Sequence, residues 1–165
     1  MSAHRPFQIG VLTLSDKGSQ GQRADESGPV VEELLAPVGE VVHVAILPDD
    51  LASIATLLIA WTDQEKLDLI VTTGGTGLSP RDVTPQATLQ TIDYEIPGMA
   101  EAMRMQSLQK TPHAMVSRAV VGVRKQTMII NLPGSPKAAR ENLETLLPAL
   151  PHALAKLTGD PSDCA

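Results

Sequence analysis

The stretch Thr72–Leu89 (TTGGTGLSPRDVTPQATL) concentrates groups whose types and spacing suit phosphate chemistry. Gly74, Gly75 and Gly77, with Thr76 among them, let backbone N–H groups approach a ligand without side-chain obstruction. Arg81 supplies a planar fork matched to phosphate oxygens. Asp82 supplies hard oxygen ligands of the kind Mg²⁺ prefers. Thr84-Pro85 reads as the N-cap and first residue of a helix. A helix N-terminus beside a glycine-rich turn is a natural anion site. The plainer readings are a tight strand-to-helix connection, a surface arginine and a turn carboxylate. No Gly-Lys-Ser/Thr follows the glycines, and their spacing is not G-x-G-x-x-G. Both facts weigh against an ordinary P-loop ATPase and a dinucleotide oxidoreductase.

Other residues could join this chemistry. Asp49 and Asp50 follow a strand pattern. Asp50, adjacent to Leu51, is the better helix cap, which leaves Asp49 free to face a crevice; a pair of solvated loop acids is the alternative. Ser15-Asp16 closes the first strand pattern, where a simple turn through Lys17-Gly18 is the alternative. Asp25, Ser27 and Gly28 start the next helix, with Ser27 as its cap. Pro133-Gly134-Ser135-Pro136-Lys137 gives a turn, an N-cap at Ser135 and a proline at N1. Lys137 then lies where the helix dipole disfavours a cation, and a bound anion would relieve that conflict. Ser107 and Ser117 have no His-Asp pattern that would make either a nucleophile. His4, His43, His113 and His152 show no ligand spacing, and the one cysteine, Cys164, allows neither an intramolecular disulfide nor a cysteine metal site.

The elements that must position these residues alternate between strand and helix patterns. Strands are expected at Gln8–Leu14, Val41–Leu47, Leu67–Thr72, Ala114–Val123 and Thr127–Leu132, the last two joined by a turn within Gly122–Gln126. Helices are expected at Gly28–Leu35, from Leu51 to about Gln64, at Pro85–Ile92, at Gly98–Gln109 and from Pro136 onward. Leu51, Ile54, Leu58 and Trp61 share one helical face. Leu143, Leu146, Leu147 and Leu150 do the same, with breaks at Pro148 and Pro151. Alternation of this kind implies an α/β fold in three layers, with a mostly parallel central sheet covered by helices.

Composition narrows the class. The 165 residues suit one domain, 1–165, with 42% hydrophobic and 19% charged residues, as in a globular chain. Phe7, Trp61 and Tyr94 are the only aromatics, too few for a base-stacking platform. A net charge of −6 argues against a general nucleic-acid or membrane surface. Without an apolar leader or a run of transmembrane length, a cytoplasmic location is expected.

The segment TGGTG, a short gap and RDVTPQA resembles the signature of the molybdenum-cofactor biosynthesis family, with Gln86 where that family usually has Glu. Asn131–Ala138 (NLPGSPKA) is a second match and Val11–Asp16 (VLTLSD) a third. Ile96–Met99 and Pro112–Arg118 (PHAMVSR) also fit, so the resemblance runs from about Phe7 to Leu157. It implies a molybdopterin-binding fold and, from its stand-alone adenylyl-transferring members, transfer of AMP from Mg-ATP to molybdopterin with release of pyrophosphate. Asp49 and Asp82 would be catalytic and would hold Mg²⁺. Gly74, Gly75, Thr76, Gly77 and Arg81 would bind nucleotide phosphates. Ser15, Asp16, Pro133, Gly134 and Ser135 would complete the pocket, and Ser107 and Ser117 would bind on the pterin side. A homo-oligomer, a trimer in particular, and contact with a downstream molybdate-inserting enzyme are also implied. Three other readings stay open: a non-catalytic molybdopterin carrier or scaffold, the molybdate-inserting transferase itself, and a pyrophosphatase sharing the domain.

Overall fold

Runs of Val, Ile and Leu, buried on both faces, build the inner strands of a mixed sheet. The computed structural model describes residues 5–164, so His4 lies outside the described residues. The strands are β1 (Phe7–Leu14), β2 (Gly39–Leu47), β3 (Leu69–Thr73), β4 (Tyr94–Glu95), β5 (Val121–Arg124) and β6 (Thr127–Leu132). Their spatial order is β2-β1-β3-β6-β5-β4. β2, β1, β3 and β6 are mutually parallel, whereas β5 and β4 run antiparallel to their neighbours. The helices are α1 (Asp16–Ser19), α2 (Ser27–Leu35), α3 (Leu51–Asp63), α4 (Thr84–Thr91), α5 (Pro97–Leu108), α6 (Pro136–Leu146) and α7 (Leu150–Leu157).

Side-chain alternation along each inner strand creates two cores. Ile9 and Val11 of β1, Leu69 and Val71 of β3, and Met128, Ile130 and Leu132 of β6 pack with Val31, Leu35, Met103, Leu143 and Leu154 from α2, α5, α6 and α7. Leu12, Leu14, Ile70 and Ile129 face the other way, against Ile54, Leu58 and Trp61 of α3 and Ala87 of α4. Helices therefore cover both faces, and the architecture is the expected three-layer α/β. At Gly10 an added Cβ would come within 2.7 Å of the Trp61 ring, so the absence of a side chain lets α3 close on β1. No helix among the described residues is long and apolar enough to cross a membrane.

The register sets the position of the site. Thr13 pairs with Thr73, Thr73 with Leu132, and Leu14 with Leu47. The four parallel strands thus end nearly level, and the loops beginning at Ser15, Pro48, Gly74 and Pro133 leave from one edge. Ligands of open α/β folds collect beyond such carboxyl ends.

Some elements differ from the expectations. The run Ala114–Val123 is not one strand: Pro112–Val116 forms a 3-10 turn, and only Val121–Arg124 joins the sheet. Met115 and Val116 remain exposed, whereas Ala119, Val120, Val121 and Val123 further along the run are buried. The four-residue α1 and the two-residue β4 are additional elements. The β5–β6 hairpin turns on Lys125-Gln126, with Lys125 at φ 54°. That left-handed backbone is held from outside the turn, by the Lys125 N–H donating to Asp93 Oδ2 (2.7 Å) and the Lys125 ammonium pairing with Asp63 (3.1 Å).

A buried amide stitches the layers together below the site. Asn131, fully buried on β6, donates through Nδ2 to Thr72 Oγ1 of β3 (3.1 Å) and to Thr88 Oγ1 of α4 (2.9 Å). Its Oδ1 accepts from the Val120 N–H (3.2 Å), and its backbone N–H donates to the Val120 carbonyl (3.0 Å). Asn131→Leu keeps the branched side-chain skeleton, with bulkier methyls, but orphans the buried Val120 N–H and strips both threonine hydroxyls of their donor. We expect a loss of roughly 3 kcal/mol, the scale of one or two unsatisfied buried polar groups, measured by denaturant unfolding. A loss below about 1 kcal/mol contradicts the stitching role assigned to this amide.

Candidate active site

The loops leaving the level strand ends enclose a cavity of about 550 Å³. Its wall includes Ser15, Asp49, Gly74, Gly75, Asp82, Gly134 and Ser135, together with Thr13, Thr73, Arg23 and Asp25. Seven of the residues singled out in the sequence as binding or catalytic thus meet at one place. Asp16, Thr76, Gly77, Arg81, Pro133, Ser107 and Ser117 lie outside that wall. A larger cavity of about 950 Å³ opens elsewhere, between Arg5, Phe7 and Leu67 near the amino ends of the strands and Pro151 and Ala155 of α7. It contains none of the candidate residues.

The glycine turn sits where it does because β3 ends at Thr73 and the chain must reverse tightly. Gly74 has φ 102° and Gly75 φ 70°, backbone conformations that disfavour other residues. A Cβ on Gly75 would lie 3.0 Å from Asp49 Oδ1, so the bare glycine gives room for that carboxylate. A Cβ on Gly77 would lie 2.9 Å from Asp82 Oδ2. Thr84 does not cap α4, contrary to expectation. It is the first helical residue, Val83 takes the cap position without a side-chain bond, and Thr84 Oγ1 donates to the Gly74 carbonyl (2.9 Å). The threonine therefore locks the glycine turn onto the helix rather than capping it.

The two acids after β2 divide as expected. Asp50 caps α3, accepting from the Ser53 N–H at 2.9 Å and the Ser53 hydroxyl at 2.6 Å, and these bonds lower its pKa. Asp49 turns inward. Its Oδ2 accepts from the Asp16 N–H (3.3 Å), while Asp16 Oδ1 accepts from the Asp49 N–H (3.0 Å). Asp49 Oδ1 is buried and has no hydrogen-bond partner. Burial, then the nearby charge of Asp16, then that of Asp82 raise the Asp49 pKa. Asp82 spends one oxygen on its own turn, with Oδ2 accepting from the Ser79 N–H (3.0 Å).

Arg81 is exposed and holds Asp16 in its fork, through Nε to Oδ2 (2.9 Å) and Nη2 to Oδ1 (2.8 Å). This pair, more than the Asp49 backbone bond, lowers the Asp16 pKa. Ser135 caps α6 through the Ala138 N–H (3.2 Å), as its sequence context suggested. Asp25, rather than Ser27, holds the start of α2: its Oδ1 accepts from the Gly28 N–H (2.9 Å) and its Oδ2 from Thr13 Oγ1 (2.8 Å). Sequence reasoning gave Asp25 a helix-start role and assigned no site role to Thr13, Thr73 or Arg118. The side chain of Arg118 reaches the signature loop from 36 to 41 residues away, a distance no local pattern signals.

An orphaned carboxylate oxygen among like charges is the arrangement a cation relieves. No group of three or more His, Cys, Asp or Glu among the described residues could hold a metal by itself. Two carboxylates that leave the remaining ligand positions to phosphate and water suit Mg²⁺, which seldom sits in an all-protein cage. The residues present fit that ion.

Comparison with known proteins agrees with the fold. A family model described as a probable molybdopterin binding domain matches residues 10–152. The molybdopterin adenylyltransferase of Helicobacter pylori (strain J99) is 42% identical over 93% of this chain and 89% of its own length. The gephyrin of Dictyostelium discoideum is 44% identical over 93% of this chain, which spans only 23% of that larger protein. Among solved structures, the molybdopterin biosynthesis enzyme MoaB from Thermus thermophilus superposes with a TM-score of 0.88 at 53% identity, covering 95% of this chain and 99% of that one. The match over residues 10–152 takes in both carboxylates, the glycine turn and every strand end that frames the cavity, and the chain belongs to the family of probable molybdopterin-binding domains of molybdenum-cofactor biosynthesis.

Proposed function

We propose that the chain is a molybdopterin adenylyltransferase, moving AMP from ATP to the terminal phosphate of molybdopterin. The observation that carries this reading is the meeting of Asp49, Asp82 and the Gly74-Gly75 turn in one cavity at the carboxyl ends of the parallel strands. The name of the Helicobacter pylori relative, which matches nearly end to end, supports it. A phosphate oxygen of molybdopterin attacks the α-phosphorus of ATP, the bond to the β-phosphate oxygen breaks, and pyrophosphate leaves. The nucleophile is already an oxyanion, so no protein base is required, consistent with a cavity wall free of histidine.

The physical difficulty is bringing several phosphates into a chain of net charge −6. Asp49 and Asp82 would hold Mg²⁺, which when bound offsets phosphate charge and stabilises the departing oxygen. The N–H groups of Gly75 and Gly77 and the N-terminus of α6 would take further phosphate oxygens, the Gly74 N–H being bonded to the Leu132 carbonyl. Arg81 is held by Asp16 and would exchange that carboxylate for phosphate. Ser107 Oγ accepts from Asn142 Nδ2 (3.1 Å) and Ser117 Oγ from the Ala119 N–H (3.4 Å). Each hydroxyl therefore keeps its proton for donation, the role assigned to it on the pterin side. Met105, Leu108, Met115 and Val116, exposed on α5 and the adjoining 3-10 turn, support self-association, with a trimer the reading we favour. A cytoplasmic site of action and hand-over to a molybdate-inserting enzyme complete the proposal.

The test is to incubate the protein with molybdopterin, ATP and Mg²⁺ and follow adenylated pterin by mass spectrometry and pyrophosphate by a coupled assay. Both should appear, and EDTA should stop them without unfolding the protein. Binding of molybdopterin with no pyrophosphate would instead make the chain a carrier. Turnover in metal-free buffer would remove Mg²⁺ from the account. Asp82→Asn should stay folded and keep most of its pterin affinity while losing at least about tenfold in turnover, the scale of one charge-assisted contact. Asp49 and Asp50 should separate: Asp49→Ala lowers turnover far more than it lowers the melting temperature, whereas Asp50→Ala mainly removes about 1 kcal/mol of helix capping. The opposite split would reverse the two assignments.

A further inference from the structure

The signature loop has few anchors of its own. At its base Thr84 N–H donates to the Gly75 carbonyl (3.2 Å) and Thr84 Oγ1 to that of Gly74 (2.9 Å). At its tip Ser79 and Asp82 close a reverse turn, Asp82 N–H to Ser79 O (2.9 Å) and Ser79 N–H to Asp82 Oδ2 (3.0 Å). Leu78, Ser79, Pro80 and Arg81 between them are exposed. With only the ion pair of Arg81 and Asp16 besides, these two sets of bonds leave the tip some freedom to tilt on its base, carrying the Asp82 carboxylate with it.

Arg118 removes that freedom. Its Nε donates to the Gly77 carbonyl (2.8 Å), its Nη2 to the Asp82 carbonyl (2.7 Å) and its Nη1 to Gln86 Oε1 (3.1 Å). Its own N–H donates to the Thr76 carbonyl (2.9 Å). One rigid planar group thus ties the rising limb of the loop, the residue bearing the cavity carboxylate, and the first turn of α4. The arginine is itself held: Arg104 Nη1 of α5 donates to the carbonyls of Ala119 (2.9 Å) and Ser117 (3.5 Å), and Val120 is bonded to Asn131. All three side-chain acceptors are uncharged, so the guanidinium is used for its shape and not to form an ion pair.

We propose that Arg118 is the positioning residue for Asp82, fixing the angle at which its carboxylate faces the cavity through bonds to Gly77, Asp82 and Gln86. This deepens the transferase reading above and rests on it. Arg118 does not line the cavity, so it acts through the loop and not on the substrates. Lysine cannot reproduce the fork, because its ammonium is a single point from which three bonds in one plane cannot spread. The positive charge survives in Arg118→Lys while the brace is lost.

The experiment pairs kinetics with amide hydrogen exchange. Arg118→Lys should stay folded and show faster exchange at amides 76–79 and 81–83 that is absent from β1 and β3. Its kcat for adenylation should fall at least about tenfold, while the KM for molybdopterin shifts less than about threefold. A folded Arg118→Lys with parental loop exchange, or with kcat within twofold of the parent, overturns the proposal. Should Arg118→Lys fail to fold, Gln86→Ala decides, since it deletes one exposed arm of the brace. Faster loop exchange with a smaller fall in kcat then supports the brace, and parental values of both refute it. If the parent protein produces no adenylated pterin, the transferase reading fails, yet the exchange measurement still reports whether Arg118 holds the loop.

Discussion

An amide buried at the centre of a sheet must find partners for its polar atoms or it destabilises the fold, and at Asn131 that requirement determines what surrounds it. Meeting it brings Thr72 of β3, Thr88 of α4 and the backbone at Val120 to fixed points around one side chain. Thr72 lies two residues before the glycine turn, Thr88 lies in the helix that follows it, and Val120 lies two residues after Arg118. Both limbs of the signature loop and the brace across it are thereby referred to the same atom group. The neighbouring Leu132 carbonyl accepts from the Gly74 N–H (3.0 Å), and the Pro133 carbonyl accepts from Thr73 Oγ1 (2.7 Å). The carboxyl ends of β3 and β6 are consequently tied to each other as well as level, and the cavity between their loops inherits that rigidity.

The charges at the cavity are the ones that the proposed Mg²⁺ and phosphate would meet. Asp49 lies within the field of both Asp16 and Asp82, and of the three side chains only that of Asp16 has an arginine partner. Asp49 is pushed toward its protonated form by burial and by its neighbours, and one of its oxygens receives no donor. A fold selected only for stability would place a donor there, since an orphaned buried acceptor costs about 1–3 kcal/mol. Arg81 is engaged by an exposed carboxylate, and exposed ion pairs contribute little, typically below about 1 kcal/mol. The pair is therefore weak enough to be exchanged for a phosphate, whereas the unpartnered Asp49 oxygen is open to a cation or a donor.

Much of this was legible in the sequence because it rests on short-range patterns. The inner strands read as unbroken apolar runs, since both faces are buried. Asp50 read as a cap because a helical apolar stripe begins beside it, and Ser135 because a proline follows. The same patterns misled where a side chain serves a distant partner. Thr84 has the sequence context of a cap but gives its hydroxyl to Gly74, ten residues back. Ser27 looks like a cap, yet Asp25 takes the Gly28 N–H and reaches Thr13 across the cavity rim. Ala114–Val116 looks like the start of a strand, but Pro112 sets a 3-10 turn that buries only Ala114. The bond from Thr13 to Asp25 and those made by Arg118 had no local signal, because their partners come from other strands and loops.

The antiparallel edge of the sheet gains its meaning from Arg118. A wholly parallel sheet would carry its next strand in along the same direction, with a helix between, and the connection would cover a face. Here the chain leaves α5, turns through Pro112–Val116 and enters β5 antiparallel to β6. That direction places the beginning of β5 at the carboxyl end of β6, Val121 pairing with Ile130, so the residues just before β5 lie beside the glycine loop. Reversal of one strand thus delivers an arginine to the site that no β-α-β crossover would bring there. The parallel strands supply the cavity and its carboxylates, and the reversed strand supplies the group that holds the loop still.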